Sequence, residues 1–212
     1  MQFDDIKFRH PFSCLISGPS QVGKTEFVKK YVENAAELMT ESPQVIYWFY
    51  AEFQPSYEKL RRIPNLQLIE GLPDVEMLKA DPRPKLCICD DLMTEISKSD
   101  SLTTIFTRGV HHWNMSCIHI VHNLFYANMR SARINASYLV LFKNVSDKLQ
   151  VTNLAKQMFP RKNQYFLQAY EDATSKPYGY LLVDLVQSTP DSLRVRTAIF
   201  PSEQMVVYLP KL

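Results

Sequence analysis

The eight residues Gly18-Pro19-Ser20-Gln21-Val22-Gly23-Lys24-Thr25 constrain this chain more than any other feature. They match the phosphate-loop pattern G-x-x-x-x-G-K-[ST] at each fixed position. The chemistry of that pattern needs a strand before it and a helix after it. Phe12 to Ser17 (FSCLIS) is an apolar run that predicts a buried strand, and Thr25 to Val32 predicts the first turns of a helix. In that setting, backbone N–H groups of the loop and the helix N-terminus face an anion. Lys24 adds a point charge near β- and γ-phosphates, and the Thr25 hydroxyl is placed to hold Mg²⁺. The chain has only five glycines, and Gly18 and Gly23 fall at the two positions where the backbone must turn tightly. ATP and Mg²⁺ are the expected cofactors.

Along the chain, strand-like and helix-like runs alternate. Strands are predicted at Ser13–Ser17, Gln44–Tyr50, Leu66–Glu70, Lys85–Asp90, Cys117–Val121, Tyr138–Phe142, Tyr180–Leu185, Arg194–Phe200 and Met205–Leu209. Helices are predicted at Thr25–Leu38, Tyr57–Arg62, Val75–Lys79, Leu102–Trp113, Met129–Ala136, Asp147–Met158 and Gln164–Thr174. The alternation predicts an α/β fold with a mainly parallel sheet flanked by helices. Most strands are continuous apolar runs, as in sheets covered on both faces. Tyr47-Trp48-Phe49-Tyr50 is aromatic on both faces of its strand, which fits a doubly covered core strand better than base stacking. After about residue 178 the pattern becomes strand–turn–strand, so an antiparallel extension at one edge is expected. With 212 residues and no long linker, one domain over residues 1–212 is expected.

A net charge of +2 carries no nucleic-acid signal by itself. No apolar run approaches the ~18 residues that a membrane span needs. The N-terminal MQFDDIKFRH is charged and lacks the apolar core of a signal peptide. The expected location is therefore intracellular, or packed inside a particle made there, and not secreted. Cys14, Cys87, Cys89 and Cys117 each lie in apolar runs and read as small buried hydrophobes. Their spacing shows neither a zinc ligand set nor a relaxed disulfide.

Lys85-Leu86-Cys87-Ile88-Cys89-Asp90-Asp91 is an apolar strand ending in two acids, a Walker B pattern. Asp90 is expected to hold Mg²⁺, and Asp91 to orient or deprotonate the attacking water. The same acids also fit as caps of a following helix. A third strand, Cys117-Ile118-His119-Ile120-Val121, ends in His122-Asn123. In ATPases with an extra strand between the phosphate-loop and Walker B strands, a polar residue here senses the γ-phosphate. Either His122 or Asn123 fits that role, and a loop-forming Asn fits the local sequence equally.

With these three motifs in order, the chain resembles viral genome-packaging ATPases of the FtsK/HerA superfamily, of the type found in Polinton/Maverick elements and adintoviruses. The segments that carry the resemblance are HPFSCLISGPSQVGKTEFV, IYWFYAEFQPSY, LQLIEGLPD, CICDDLM, FTRGVHHWN, HNLF, NASYLVLFKN, LAKQMFP, AYEDATSKPYGYLLVDL and LRVRTAIFP. The resemblance implies a RecA-like core and a homo-oligomeric ring. It also implies translocation of double-stranded DNA into a preformed capsid, with capsid or portal-vertex proteins as partners. Three positions depart from the family pattern. His122 stands where a Gln is usual, and Trp113 and Ser146 stand where relatives tend to carry arginine. Histidine can still donate a hydrogen bond, but its protonation becomes a variable.

Ring ATPases commonly complete a site with a neighbour's arginine. Arg133 is the first candidate, Arg108 the next, and Arg130 lies three residues before Arg133 on the same helix face. Lys143, Lys148, Arg161 and Lys162 are candidate DNA contacts, and a solvated surface charge fits each of them as well. Glu52 and Gln54 follow an early strand, and Glu52 is a second candidate for positioning water. Two other readings keep the same phosphate loop. A small-molecule kinase would need an arginine-rich lid, for which Arg161-Lys162 is sparse. A nucleotide-binding module without turnover would follow if His122 disables the site. A GTPase is disfavoured, because no N-K-x-D sequence follows.

Overall fold

The computed structural model describes residues 6–92, 104–125 and 129–210. Leu102 and Thr103 of one expected helix, and the first five residues, lie outside the described residues.

Nine strands form one sheet: β1 (Ser13–Ser17), β2 (Val45–Tyr50), β3 (Leu66–Glu70), β4 (Lys85–Asp90), β5 (Met115–Val121), β6 (Tyr138–Phe142), β7 (Tyr180–Asp184), β8 (Val195–Thr197) and β9 (Val206–Val207). Their order is β3-β2-β4-β5-β1-β6-β7-β8-β9. The pairings from β3 through β6 are parallel, and those from β6 through β9 are antiparallel. The expected parallel sheet and antiparallel C-terminal edge are both present. β5 lies between β1 and β4, so the phosphate-loop strand and the Walker B strand are not neighbours. All parallel strands therefore deliver their C-terminal ends, and the loops after them, to one edge of the sheet.

The central strands are buried on both faces because alternate residues feed two apolar layers. Leu15, Tyr47, Phe49, Cys87, Cys89 and Cys117 enter one layer. Ile16, Ile46, Trp48, Ile88, Ile118 and Val140 enter the other. Helix α1 (Lys24–Glu33) covers the second layer with Phe27, Val28, Tyr31 and Val32. Phe27 packs edge-on against Tyr180, with ring centroids 4.7 Å apart. This contact joins α1 to the start of the antiparallel extension.

Several boundaries differ from expectation for local reasons. The helix expected over Thr25–Leu38 breaks at Asn34, whose side chain donates to the Lys30 carbonyl, and resumes as α2 (Ala35–Leu38). Tyr57–Arg62 belongs to a 3₁₀ segment, Pro55–Arg62, and α3 spans Val75–Ala80. The described part of Leu102–Trp113 is a π-helical turn, Ile105–Gly109, followed by Val110–His112 (α4). Three further helices span Met129–Asn135 (α5), Lys148–Met158 (α6) and Asn163–Ala173 (α7). The strand expected over Arg194–Phe200 stops at Thr197, because Ala198 turns into the left-handed region at φ 54°. Beneath β7 and β8, Arg196 donates to Asp184 at 2.9 Å with both side chains buried. Such a pair adds little net stability, and breaking it would leave a buried charge unpaired.

All four cysteines are buried and unpaired. Strand pairing sets Cys117 opposite Cys87, so the Sγ atoms of Cys87, Cys89 and Cys117 lie within 4.8 Å of one another. Linear spacing does not show this grouping. Burial pushes the Cys14 and Cys117 thiols well up, which keeps them protonated and unreactive. No helix among the described residues is long and apolar enough to cross a membrane.

Candidate nucleotide site

The phosphate loop leaves the C-terminal end of β1 at Gly18, whose N–H donates to the Val121 carbonyl at 3.3 Å. A side chain at Gly18 would meet Phe142 Cβ at 2.7 Å, so the close approach of β6 requires glycine here. Further along, Gln21 and Gly23 both take left-handed backbone, at φ 64° and 100°. Glycine supplies that conformation freely at 23, and Gln21 adopts it without being glycine. Gly23 then caps α1, and Lys24 is its first residue.

Lys24 is 7% exposed. Its Nζ donates to the Gly18 and Pro19 carbonyls, both at 2.6 Å, and so braces the loop it belongs to. Burial lowers its pKa to about 8, against the opposing pull of Asp90 and Asp91. Thr25 Oγ1 donates to Asp90 Oδ2 at 3.2 Å. The motif hydroxyl and the Walker B carboxylate are thus in contact, although they are 65 residues apart in sequence. Two hard oxygen ligands at this spacing suit a Mg²⁺ ion. Asp90 is 2% exposed, and burial raises its pKa. A divalent cation would reverse that shift by favouring the carboxylate.

Tyr57 completes this cluster: its hydroxyl donates to Asp90 Oδ2 at 2.8 Å from a fully buried ring. Spacing and motif rules carry no signal for Tyr57. Only its place after β2, at the edge where loops converge, hints at it. Asp91 leaves the strand in left-handed backbone at φ 54°, and its Oδ1 lies 3.2 Å from His122 Nε2. The strand ends of β4 and β5 therefore bring the second acid and the sensor-position histidine together.

Ser20, Gln21, Gly23, Lys24, Thr25, Asp90, Asp91 and His122 line one cavity of about 380 Å³, with Gln54, Ile120 and Tyr178. This volume falls in the usual range for small-molecule sites. Other expected residues lie elsewhere. Asn123 accepts from the Phe125 N–H at 2.7 Å and donates to Asp147 at 3.4 Å, so its side chain shapes the loop after β5. Glu52 is exposed and does not line the cavity, whereas Gln54 does. Arg133 donates to Gln157 at 2.6 Å and lies over the Phe125 ring, while Arg108 and Arg130 are exposed. None of the three arginines lines the cavity of its own chain. Lys143, Lys148, Arg161 and Lys162 are all exposed.

Tyr178, which sequence reading did not single out, lies against the phosphate loop. A Cβ placed on Gly23 would come within 2.9 Å of the Tyr178 ring. Gly23 is thus needed both for its φ and for this approach.

No family model and no curated protein sequence matches this chain. Solved structures do. The genome packaging NTPase B204 from Sulfolobus turreted icosahedral virus 2, in complex with ATP-γ-S, aligns over 100% of both chains, with a TM-score of 0.58 and 12% identity. The fold is that of the P-loop NTPases. The EssC ATPases 2 and 3 from Geobacillus thermodenitrificans align over 99% of this chain and 40% of theirs, with a TM-score of 0.52 and 12% identity. The cytoplasmic domain of the Thermomonospora curvata type VII secretion ATPase EccC aligns over 93% of this chain and 25% of its own, with a TM-score of 0.53 and 10% identity.

Proposed function

We propose that this chain is the ATP-hydrolysing subunit of a motor that moves double-stranded DNA into a preformed viral capsid. The observation that carries the reading is the meeting of Lys24, Thr25, Asp90, Asp91 and His122 around one cavity, with β5 inserted between β1 and β4. Backbone N–H groups of the loop and the α1 N-terminus receive the phosphates. Lys24 exchanges its loop carbonyls for phosphate oxygens. Thr25 and Asp90 would hold Mg²⁺, which when bound draws charge from the β- and γ-phosphate oxygens. Tyr57 positions the Asp90 carboxylate. Asp91 orients the attacking water and accepts its proton, and His122 steers Asp91.

The end-to-end likeness to a packaging NTPase supports the choice of motor. The secretion ATPases match only as part of much longer chains. The narrower assignment to the Polinton and adintovirus type rests on the sequence segments alone. A ring of subunits would place Arg133 or Arg108 in the neighbouring site, and capsid or portal-vertex proteins would anchor it. Arg133 would have to release Gln157 to reach across.

The test is ATP hydrolysis by the purified protein, with and without linear double-stranded DNA, at low and moderate salt. The expected result is stimulation by DNA that fades as salt rises, because phosphate contacts are salt-sensitive. Turnover indifferent to DNA would sink the motor and favour a kinase. ATP binding with no turnover under any condition would favour a binding module.

A further inference from the structure

Tyr178 occupies the turn between α7 and β7. Because β7 runs antiparallel to β6, Tyr180 pairs with Phe142 at the sheet edge that carries the phosphate loop. The Gly179 N–H donates to the Lys176 carbonyl at 3.0 Å, closing a four-residue turn. Tyr178 is its third residue and takes left-handed backbone at φ 61°. A bulky residue adopts that region rarely and at a cost, and such residues cluster at ligand sites. Yet the side chain is 72% exposed, more than any other large apolar or aromatic side chain among the described residues. Packing does not explain an aromatic ring here. Its ring lies on Gly23, and it lines the same cavity as Lys24, Thr25 and Asp90.

These observations describe a flat, solvent-facing aromatic surface beside a phosphate cradle. The cradle recognises the phosphate end of a ligand. Lys24, Thr25, Asp90 and Asp91 are polar groups suited to phosphate, cation and water; of the other lining residues Ile120 is buried, and Tyr178 supplies the large exposed aromatic face. A nucleoside base needs a π-face, and base–aromatic stacking tolerates any base because each has one.

We infer that Tyr178 is the base-stacking residue of this site, holding the purine end of a nucleoside triphosphate whose phosphates lie on residues 18–25. The inference rests on the nucleotide reading given above and extends it to ligand selectivity. Tyr178 separates nucleotides from bare polyphosphates and discriminates weakly between ATP and GTP.

The test is calorimetric binding of ATP, GTP and inorganic tripolyphosphate, each with Mg²⁺, to the wild type, Tyr178→Ala and Tyr178→Phe. Tyr178→Ala is expected to weaken ATP and GTP alike, by roughly 5- to 150-fold, as for loss of one stacked base. Tripolyphosphate affinity should change less than about twofold, and Tyr178→Phe should restore ATP binding, because the ring and not the hydroxyl is used. Equal losses for ATP and tripolyphosphate would overturn the inference, since Tyr178 would then only shape the loop. Undiminished ATP affinity in Tyr178→Ala would also overturn it, leaving the nucleotide site intact. A wild type that binds neither ATP nor tripolyphosphate would remove the nucleotide reading itself, and the inference with it.

Discussion

Strands β4 and β5 carry ionisable side chains both in mid-strand and at their ends, and the two regions surround them differently. In mid-strand, Cys87 pairs with Cys117 and Cys89 with His119, all fully or almost fully buried. Burial lowers the His119 pKa to about 4 and raises that of Cys117, so both groups stay neutral. At the strand ends, Asp90, Asp91 and His122 keep polar partners: Thr25, Tyr57 and one another. His119 and His122 are three residues apart, yet one is core and the other is site. Position along the strand, more than residue type, decides whether a titratable group serves packing or chemistry.

The sharpest way to break this comparison is at the strand-end side. Lys24→Ala should lower ATP affinity by roughly a thousandfold, the scale of losing a buried charge–charge contact. Unchanged affinity in a binding titration would detach the strand ends from any nucleotide. The mid-strand side is tested by acid. Burial sets the folded His119 pKa at about 4, against an ordinary value of 6.5. Between those values the unfolded chain holds more protons than the folded one, so stability is full above pH 6.5 and falls as pH drops toward 4. The loss should be about 3 kcal/mol. Denaturant unfolding of the wild type and His119→Phe across that window should show the extra loss only in the wild type. Matching curves would mean that His119 does not stay neutral in the core. Third, Asp91→Asn should keep ATP binding and reduce turnover by about a hundredfold, as for removal of a positioned base. Glu52→Gln should turn over normally, because Glu52 lies outside the cavity. The opposite pattern would move the base from β4 to the loop after β2.

Much of this was legible in the residues. β1, β3, β4 and β6 have the bounds that their apolar runs predict. Apolar patterning marks a strand directly when both its faces are buried, as in β1, β4 and β6, whereas β3 is a partly buried edge strand. The antiparallel end was legible from its turns, though β8 ended early at Ala198. Within the site, Lys24, Thr25, Asp90, Asp91 and His122 were each named by motif and meet in one cavity. Tyr57 and Tyr178 were not. Tyr57 lies in the 3₁₀ segment after β2 and Tyr178 in the turn before β7, where no motif sets a tyrosine apart, and each reaches the cavity or its acids only through strand order.

What the sequence determined by itself was local: a phosphate loop between a strand and a helix, and an acid-tipped strand. It also marked a polar pair at the end of a third strand. Those features depend on neighbours within a few residues, where backbone geometry and side-chain size act directly. Strand order was decided only by the tertiary structure. Inserting β5 between β1 and β4 brings His122 to Asp91, and reversing β7 carries Tyr178 to Gly23. No local pattern encodes these meetings, because they depend on the joint burial of both faces of the whole sheet.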